Sequence, residues 1–297
     1  MQHCQGPRIA SRRPGFALPP LACDSHAHII GPADRYPFVP NRSFTPPDAS
    51  EQDFLAMLGT LGLARMVIVQ PSVYGTDNRR TVDAVRNLGP ARARGVAMVS
   101  AGVGDDELRA LHQAGIRATR FITTAGGGPS LDDLPAVARR IAAFGWHIEM
   151  YVPTATWPHV LPVLPSLPVP VVFDHMGGLR ADADANDPLL AEILRLLETG
   201  RCWVKLCGYR NSVAGFPYAD VAPLARRFIA HAPERCVWGT DWPHTAIEGH
   251  MPEDADLLDL LAAWAPDPAV RHRILVENPA ALYGFDPPHG VAAAAPV

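Results

Sequence analysis

The chain has 297 residues, 48% of them hydrophobic and 19% charged, with a formal net charge of −4. This composition supplies ample core and excludes wholesale disorder, and its mild, evenly spread acidity leaves no electrostatic footprint for nucleic acid or an anionic membrane. No apolar run reaches the roughly 18 residues of a membrane span, residues 1–19 lack a signal-peptide apolar region, and five cysteines without a CxxC pair fit reduced thiols; the expectation is a cytoplasmic protein. Residues 1–19 read as an N-terminal extension. Eight short apolar runs follow: "LACDSHAH" (21–28), "RMVIVQP" (65–71), "RGVAMVS" (94–100), "IRATRFI" (116–122), "HIEMYV" (147–152), "VPVVFDH" (169–175), "CWVKLC" (202–207) and "CVWGTDW" (236–242). Short runs of this kind, often β-branched, suit strands buried on both faces of a parallel sheet.

Between them lie segments such as "DASEQDFLAMLGTLG", "DNRRTVDAVRNLG" and "GDDELRALHQAG". They open on Asp or Gly-Asp and close on Gly, which are helix start and stop signals. Strand and helix alternate eight times, so the expected fold is a single α/β domain over 20–285, a (β/α)8 TIM-type barrel, with a doubly wound open sheet as the alternative. A last helix near 268–283 closes it, and 286–297 reads as a frayed tail. Prolines, 31 in all, gather in stiff loops between the elements.

Polar residues interrupt the strands at their C-terminal ends: His26 and His28, Arg120, Tyr151, His175, and Asp241 with His244. In a barrel these ends share one rim, where catalysis takes place. His26 and His28 are two apart, so strand parity points them the same way. Asp174 or His175 could instead cap a helix. His147 begins its strand and reads as structural. Glu149, in register with Tyr151, faces the interior and needs a partner; Lys205, the only lysine of the chain, is the candidate. His3, His250 and His289 read as surface residues, and Cys202 and Cys207 as barrel packing.

Taken in order, "CDSHAHIIGP", "IVQPSVYGTDN", "FDHMGG" and "WGTDWPH" resemble the amidohydrolase superfamily, and within it the lactonase group that includes the 2-pyrone-4,6-dicarboxylate lactonases. The resemblance runs from about residue 20 to residue 284. It implies a catalytic set of Asp241, His175, His26 and His28, with Ser72, Arg120, Tyr151, Arg210 and His244 placed to hold substrate. The implied activity is a hydrolase that opens a small carboxylated lactone of pyrone, muconolactone or sugar-acid type with water activated by Asp241, in aromatic or sugar-acid catabolism. The alternatives are a metal-dependent decarboxylase or a lactone isomerase of the same superfamily, and a homo-oligomer is compatible with all of them.

Independently of that resemblance, lactone opening needs a deprotonated water, a group to polarise the carbonyl and help for the leaving oxygen. A carboxylate among imidazoles supplies the first two. Arginines supply bidentate clamps for a substrate carboxylate. Members of the superfamily work with one or two divalent ions or with none. A lysine-bridged metal pair is excluded, since no lysine lies on the fourth strand; the cofactor is either none or one divalent ion, zinc by its donor set, on His26, His28 and Asp241. Two departures stand out. The stretch "FITTAGGGPS" (121–130) carries no basic residue where the dicarboxylate lactonases place a second arginine, and Phe44 stands where a tyrosine is expected. Both point to a lactone with fewer anionic groups, and "AGGG" to a flexible loop with room for a differently shaped ring.

Overall fold

The apolar runs form eight strands: β1 (Cys23–Ala27), β2 (Arg65–Val69), β3 (Ala93–Ala97), β4 (Ile116–Ile122), β5 (His147–Tyr151), β6 (Val171–Phe173), β7 (Cys202–Leu206) and β8 (Cys236–Trp238). The computed structural model describes residues 2–247 and 249–286, so His289 and the tail beyond residue 286 lie outside it. Each strand pairs in parallel with the next, and the order runs from β1 to β8 without reversal. A doubly wound sheet reverses its order at a switch point, so the (β/α)8 barrel is the fold.

Closure depends on the residues just beyond β8. Ala27 bridges to Trp242, His28 N donates to Trp242 O at 2.7 Å, and Asp241 N donates to His26 O at 2.8 Å. Asp24 holds the joint from below. Its Oδ1 accepts from the backbone of Thr240 at 3.0 Å and of His26 at 3.1 Å, and its Oδ2 accepts from the Thr240 hydroxyl at 2.6 Å. The two backbones approach so closely that a Cβ on Gly239 would lie 2.6 Å from His26 N.

The helices begin and end where their caps dictate. Ser50 and Asp53 form a reciprocal capping box before Glu51–Leu61, which stops at Gly62 with φ 86°. The closing helix spans the expected region as three consecutive pieces, Pro268–His272, Arg273–Glu277 and Asn278–Tyr283, opened by the Asp267 cap. It delivers Tyr283, with Phe285 after it, into the barrel floor against Cys23, Val67, Val69, Val96 and Ala118. The N-terminal stretch is tied to the barrel: Gln2–His3 pairs with Phe44–Thr45, and Ser11 N donates to Glu253 Oε1 at 3.0 Å. No helix among the described residues is long and apolar enough to cross a membrane.

Strands β6 and β8 are shorter than their apolar runs. His175 (φ 50°) and Asp241 (φ 64°) adopt left-handed backbone that no strand accommodates. The chain therefore leaves the sheet just where these side chains turn into the barrel mouth. The β1–β8 joint makes a direct prediction. Gly239→Ala forces β8 away from His26 and should cost about 1–3 kcal/mol, the usual range for overpacking. Urea denaturation checks it, and an unshifted midpoint would show that the joint yields freely.

Candidate active site

A cavity of about 300 Å³ opens at the C-terminal ends of the strands, with His28, Ser72, Arg120, Tyr151, His175 and Asp241 among its walls. Arg210, Thr245 and Phe44 complete the rim on the other side. Of the residues expected to hold substrate, Ser72, Arg120, Tyr151 and Arg210 thus meet at one cavity. His244 does not. It is fully buried, with Nε2 3.0 Å from Asp254 Oδ1 and its ring edge-on to Tyr209, because the left-handed turn at φ 61° directs it away from the mouth. His26 also lies behind the wall, fully buried, with its ring 5.0 Å from His28 and 4.9 Å from His175.

Asp241 is held from both sides. Oδ2 accepts from the Tyr209 hydroxyl at 2.5 Å and from Arg210 Nε, while Oδ1 lies 3.3 Å from His28 Nε2 and 3.5 Å from His26 Nε2. Burial pushes this carboxyl up, but Arg210 and the imidazoles outweigh it and hold Asp241 well below the usual carboxylate range. Tyr209, pushed up by burial, stays a phenol that donates. Neither Tyr209 nor the role of Asp174 is visible in strand parity, since both follow a strand end; the short "GYRN" turn that carries Arg210 is the one signal for Tyr209.

The charges continue inward. Lys205 Nζ donates to Glu149 Oε2 at 2.7 Å, so the expected interior pair is present, and it lies 3.1 Å from both Asp174 Oδ1 and His26 Nδ1. Asp174 Oδ2 accepts from Arg120 Nε at 3.0 Å. Glu149 Oε1 accepts from Tyr283 Oη at 2.7 Å and lies 3.6 Å from His147 Nε2. Lys205, Glu149 and Asp174 have no exposed surface. Burial alone would neutralise the glutamate, yet Lys205 brings it down to about 2. Burial, reinforced by Lys205 and Arg120, pushes His26 well below its usual value, and burial does the same to His175.

Ring tautomers follow from the partners. An ammonium has donors only, so His26 Nδ1 must accept from Lys205, and a neutral His26 then carries its proton on Nε2. His28 Nδ1 faces the carbonyl of Val69 at 2.8 Å and therefore donates. The ligand atoms of His26, His28 and Asp241 lie within 4.8 Å of one another, as one ion would need. Lys205 opposes that role for His26, because a donor on Nδ1 leaves the proton of a neutral ring on Nε2, the atom an ion would need as a lone pair.

The "AGGG" segment is not a slack loop. A Cβ on Gly126 would meet Asn41 O at 2.1 Å, one on Gly127 (φ 99°) Ser72 O at 2.4 Å, and one on Gly128 Ile122 O at 2.2 Å. Gly126 N also donates to Ser43 Oγ at 2.8 Å. The glycines allow close packing of three mouth loops, and they bring Thr124 and Ala125 to the cavity wall with no added charge.

A family model described as amidohydrolase matches residues 23–285. The chain belongs to the amidohydrolase family. Among its relatives within that family, a 2-pyrone-4,6-dicarboxylate hydrolase of Comamonas testosteroni is 39% identical over 283 residues, covering 91% of this chain and 92% of that protein. A 4-sulfomuconolactone hydrolase of Rhizobium radiobacter is 38% identical, covering 95% and 96%. A D-galactarolactone isomerase of Agrobacterium fabrum is 35% identical, covering 94% and 97%.

The buried ion network of this amidohydrolase is testable by denaturation. Glu149→Gln and Lys205→Met should each cost about 3–5 kcal/mol by stranding a charge, and the double variant should recover part of the sum. Strict additivity would show that the two groups do not interact.

Proposed function

We propose that this amidohydrolase is a lactonase that opens a small lactone bearing one anionic group, without a bound metal. The juxtaposition around a single cavity of a carboxylate, imidazoles and an arginine fork carries the reading. Arg120 commits only Nε, to Asp174, among the described residues, and its terminal nitrogens are left to clamp a substrate carboxylate in two hydrogen bonds. That clamp places the ring beside Asp241 and the imidazoles. The relatives' substrates support an anionic lactone, since each named compound is a cyclic ester with at least one acidic group; the pyrone dicarboxylate has two, so the single anionic group rests on the cavity of this chain.

The number of anionic groups follows from the charges. Arg120, Arg210 and Lys205 face Asp174, Asp241 and Glu149, so each buried cation of the site is already matched by a carboxylate. Arg210 is already engaged by Asp241 and by Thr245 O at 2.9 Å. One substrate carboxylate finds a fork at Arg120; a second would find only neutral hydroxyls and the apolar walls Phe44, Ile122 and Ala246.

In the reaction, water attacks the ring carbonyl and Asp241 Oδ1 takes its proton. His26 Nε2–H and His175 stabilise the oxyanion; as it collapses, the C–O bond of the ring breaks and the leaving oxygen takes the proton from Asp241, which releases a hydroxy acid or, from an enol lactone, the enol of a keto acid. Arg210 keeps Asp241 ionised and oriented and weakens it as a base, while the substrate anion is taken up by Arg120. The isomerase reading is favoured by one relative and uses the same groups, with a substrate hydroxyl in place of water as the nucleophile.

A lactone panel with proton release as readout tests the reading. Hydrolysis creates a carboxylic acid that ionises and releases a proton, whereas isomerisation releases none. Monocarboxylated lactones should be turned over faster than dicarboxylated ones, and Asp241→Asn should lower turnover by on the order of 10² or more while keeping the fold. A variant with over a tenth of wild-type turnover would remove Asp241 from the base role. Exhaustive chelation should leave turnover unchanged. Loss on chelation with recovery on adding zinc would overturn the metal-free site.

A further inference from the structure

Lys205 has no contact with the cavity, and its ammonium is held from three sides. It donates to Glu149 on β5 at 2.7 Å and to His26 on β1 at 3.1 Å, and it lies 3.1 Å from the Asp174 carboxylate beyond β6. The Tyr283 ring of the closing helix lies below it, 6.0 Å away. The group is fully buried and its three partners come from three elements, so the ammonium has no alternative arrangement available without moving the barrel itself. A neutral imidazole places its single proton on either ring nitrogen, and the two forms present opposite faces to a substrate: one donates, the other accepts. What decides between them is the partner of the hidden nitrogen.

We propose that Lys205 is a positioning residue that fixes His26 as the Nε2–H tautomer and so makes it a hydrogen-bond donor toward the reacting carbonyl. Nε2 is the nitrogen that faces Asp241 Oδ1, at 3.5 Å, and it has no hydrogen-bond partner of its own in the protein. The same ammonium fixes Asp174, and through Asp174 the Nε of Arg120. One buried cation thus ties the carbonyl donor to the substrate clamp, so ring and carboxylate are registered against a common point. Glu149 keeps the ammonium in place from below, with Tyr283 on its other oxygen. The catalytic half of this inference rests on the lactonase reading; the tautomer itself does not.

The experiment uses the full chain labelled with ¹⁵N in its histidines, and two-bond ¹H–¹⁵N spectra that separate a protonated ring nitrogen from an unprotonated one. His26→Gln identifies the His26 signals. In the wild type the His26 proton should sit on Nε2, with Nδ1 unprotonated. Lys205→Met should move a measurable share of that proton to Nδ1 and, on whichever lactone the panel identifies, lower turnover by about 10²-fold with a much smaller change in KM, since removing one oxyanion donor has that effect. Glu149→Gln, which strands charge in the same layer but leaves Lys205 beside His26, should keep the tautomer although the protein is less stable. A wild-type His26 protonated on Nδ1 overturns the proposal, and so does a folded Lys205→Met that keeps both tautomer and turnover. Should Lys205→Met not fold, the wild-type and Glu149→Gln spectra still decide, because loss of the Nε2–H form in either contradicts the assignment. A panel without any turned-over lactone would remove the lactonase reading and leave the tautomer result standing.

Discussion

An ammonium ion sealed from water governs the interior of this barrel. Lys205 cannot be left uncompensated at that depth, where the effective penalty for an isolated ion is several kcal/mol even after relaxation. Two carboxylates and an imidazole meet it, and the positions of those three groups determine much of the rest. Glu149 recruits Tyr283 from the closing helix, which links the barrel floor to the ionic layer. Asp174 holds Arg120 at the wall. A compact ammonium with three divergent donors suits three partners arriving from different strands, whereas the planar guanidinium fork is matched to a single carboxylate. Arg80 with Glu51 and Arg120 with Asp174 follow this division, one guanidinium to one carboxylate, and the one lysine of the chain sits where three elements converge.

The barrel interior is consequently graded along its axis. Apolar side chains with Tyr283 and Phe285 fill the floor, the ion network occupies the middle, and the cavity opens above it. Polar groups so deep are costly unless they are partnered, and the pairing of Lys205 with Glu149, of Glu149 with Tyr283 and of Asp174 with Arg120 keeps that cost tolerable. Among the buried atoms without a hydrogen-bond partner, His26 Nε2 and His175 Nδ1 lie at the top of the gradient. Unsatisfied buried polar atoms beside a cavity are where a bound substrate gains most, because its oxygens complete bonds that the protein leaves open.

Strand periodicity made the architecture legible, because eight buried parallel strands leave eight short apolar runs, and capping residues mark the helices between them. Parity also carried Glu149 toward Lys205 and His26 and His28 toward Asp241, whose Oδ1 both imidazoles approach. Parity fails where the backbone turns out of the extended conformation beyond a strand. His244 follows the left-handed turn at Asp241, so its side chain meets Asp254 and lies off the cavity, and no pattern of alternation encodes that. Asp174 and Tyr209 escaped for the same reason. The "AGGG" segment illustrates a different ambiguity: glycine permits slackness and close approach alike, and only the backbone atoms of Asn41, Ser72 and Ile122 around it show that close approach is the case here.

The pairing of Arg210 with Asp241 separates orientation of the base from recognition of the substrate. A carboxylate held by a guanidinium and a phenol is well ordered but reluctant to take a proton. General-base efficiency improves as the base approaches the working pH in strength, so this pairing aligns Asp241 at some cost to its basicity. Arg210 also donates to Thr245 O, which keeps it at the rim and on Asp241. Under the proposed lactonase reading the substrate anion therefore goes to Arg120, and a neutral lactone of the same shape would fill the cavity and leave the terminal nitrogens of that guanidinium without an anion. Discrimination in favour of an anionic ring then arises in binding at Arg120, and it reaches turnover only so far as that clamp sets the ring against Asp241.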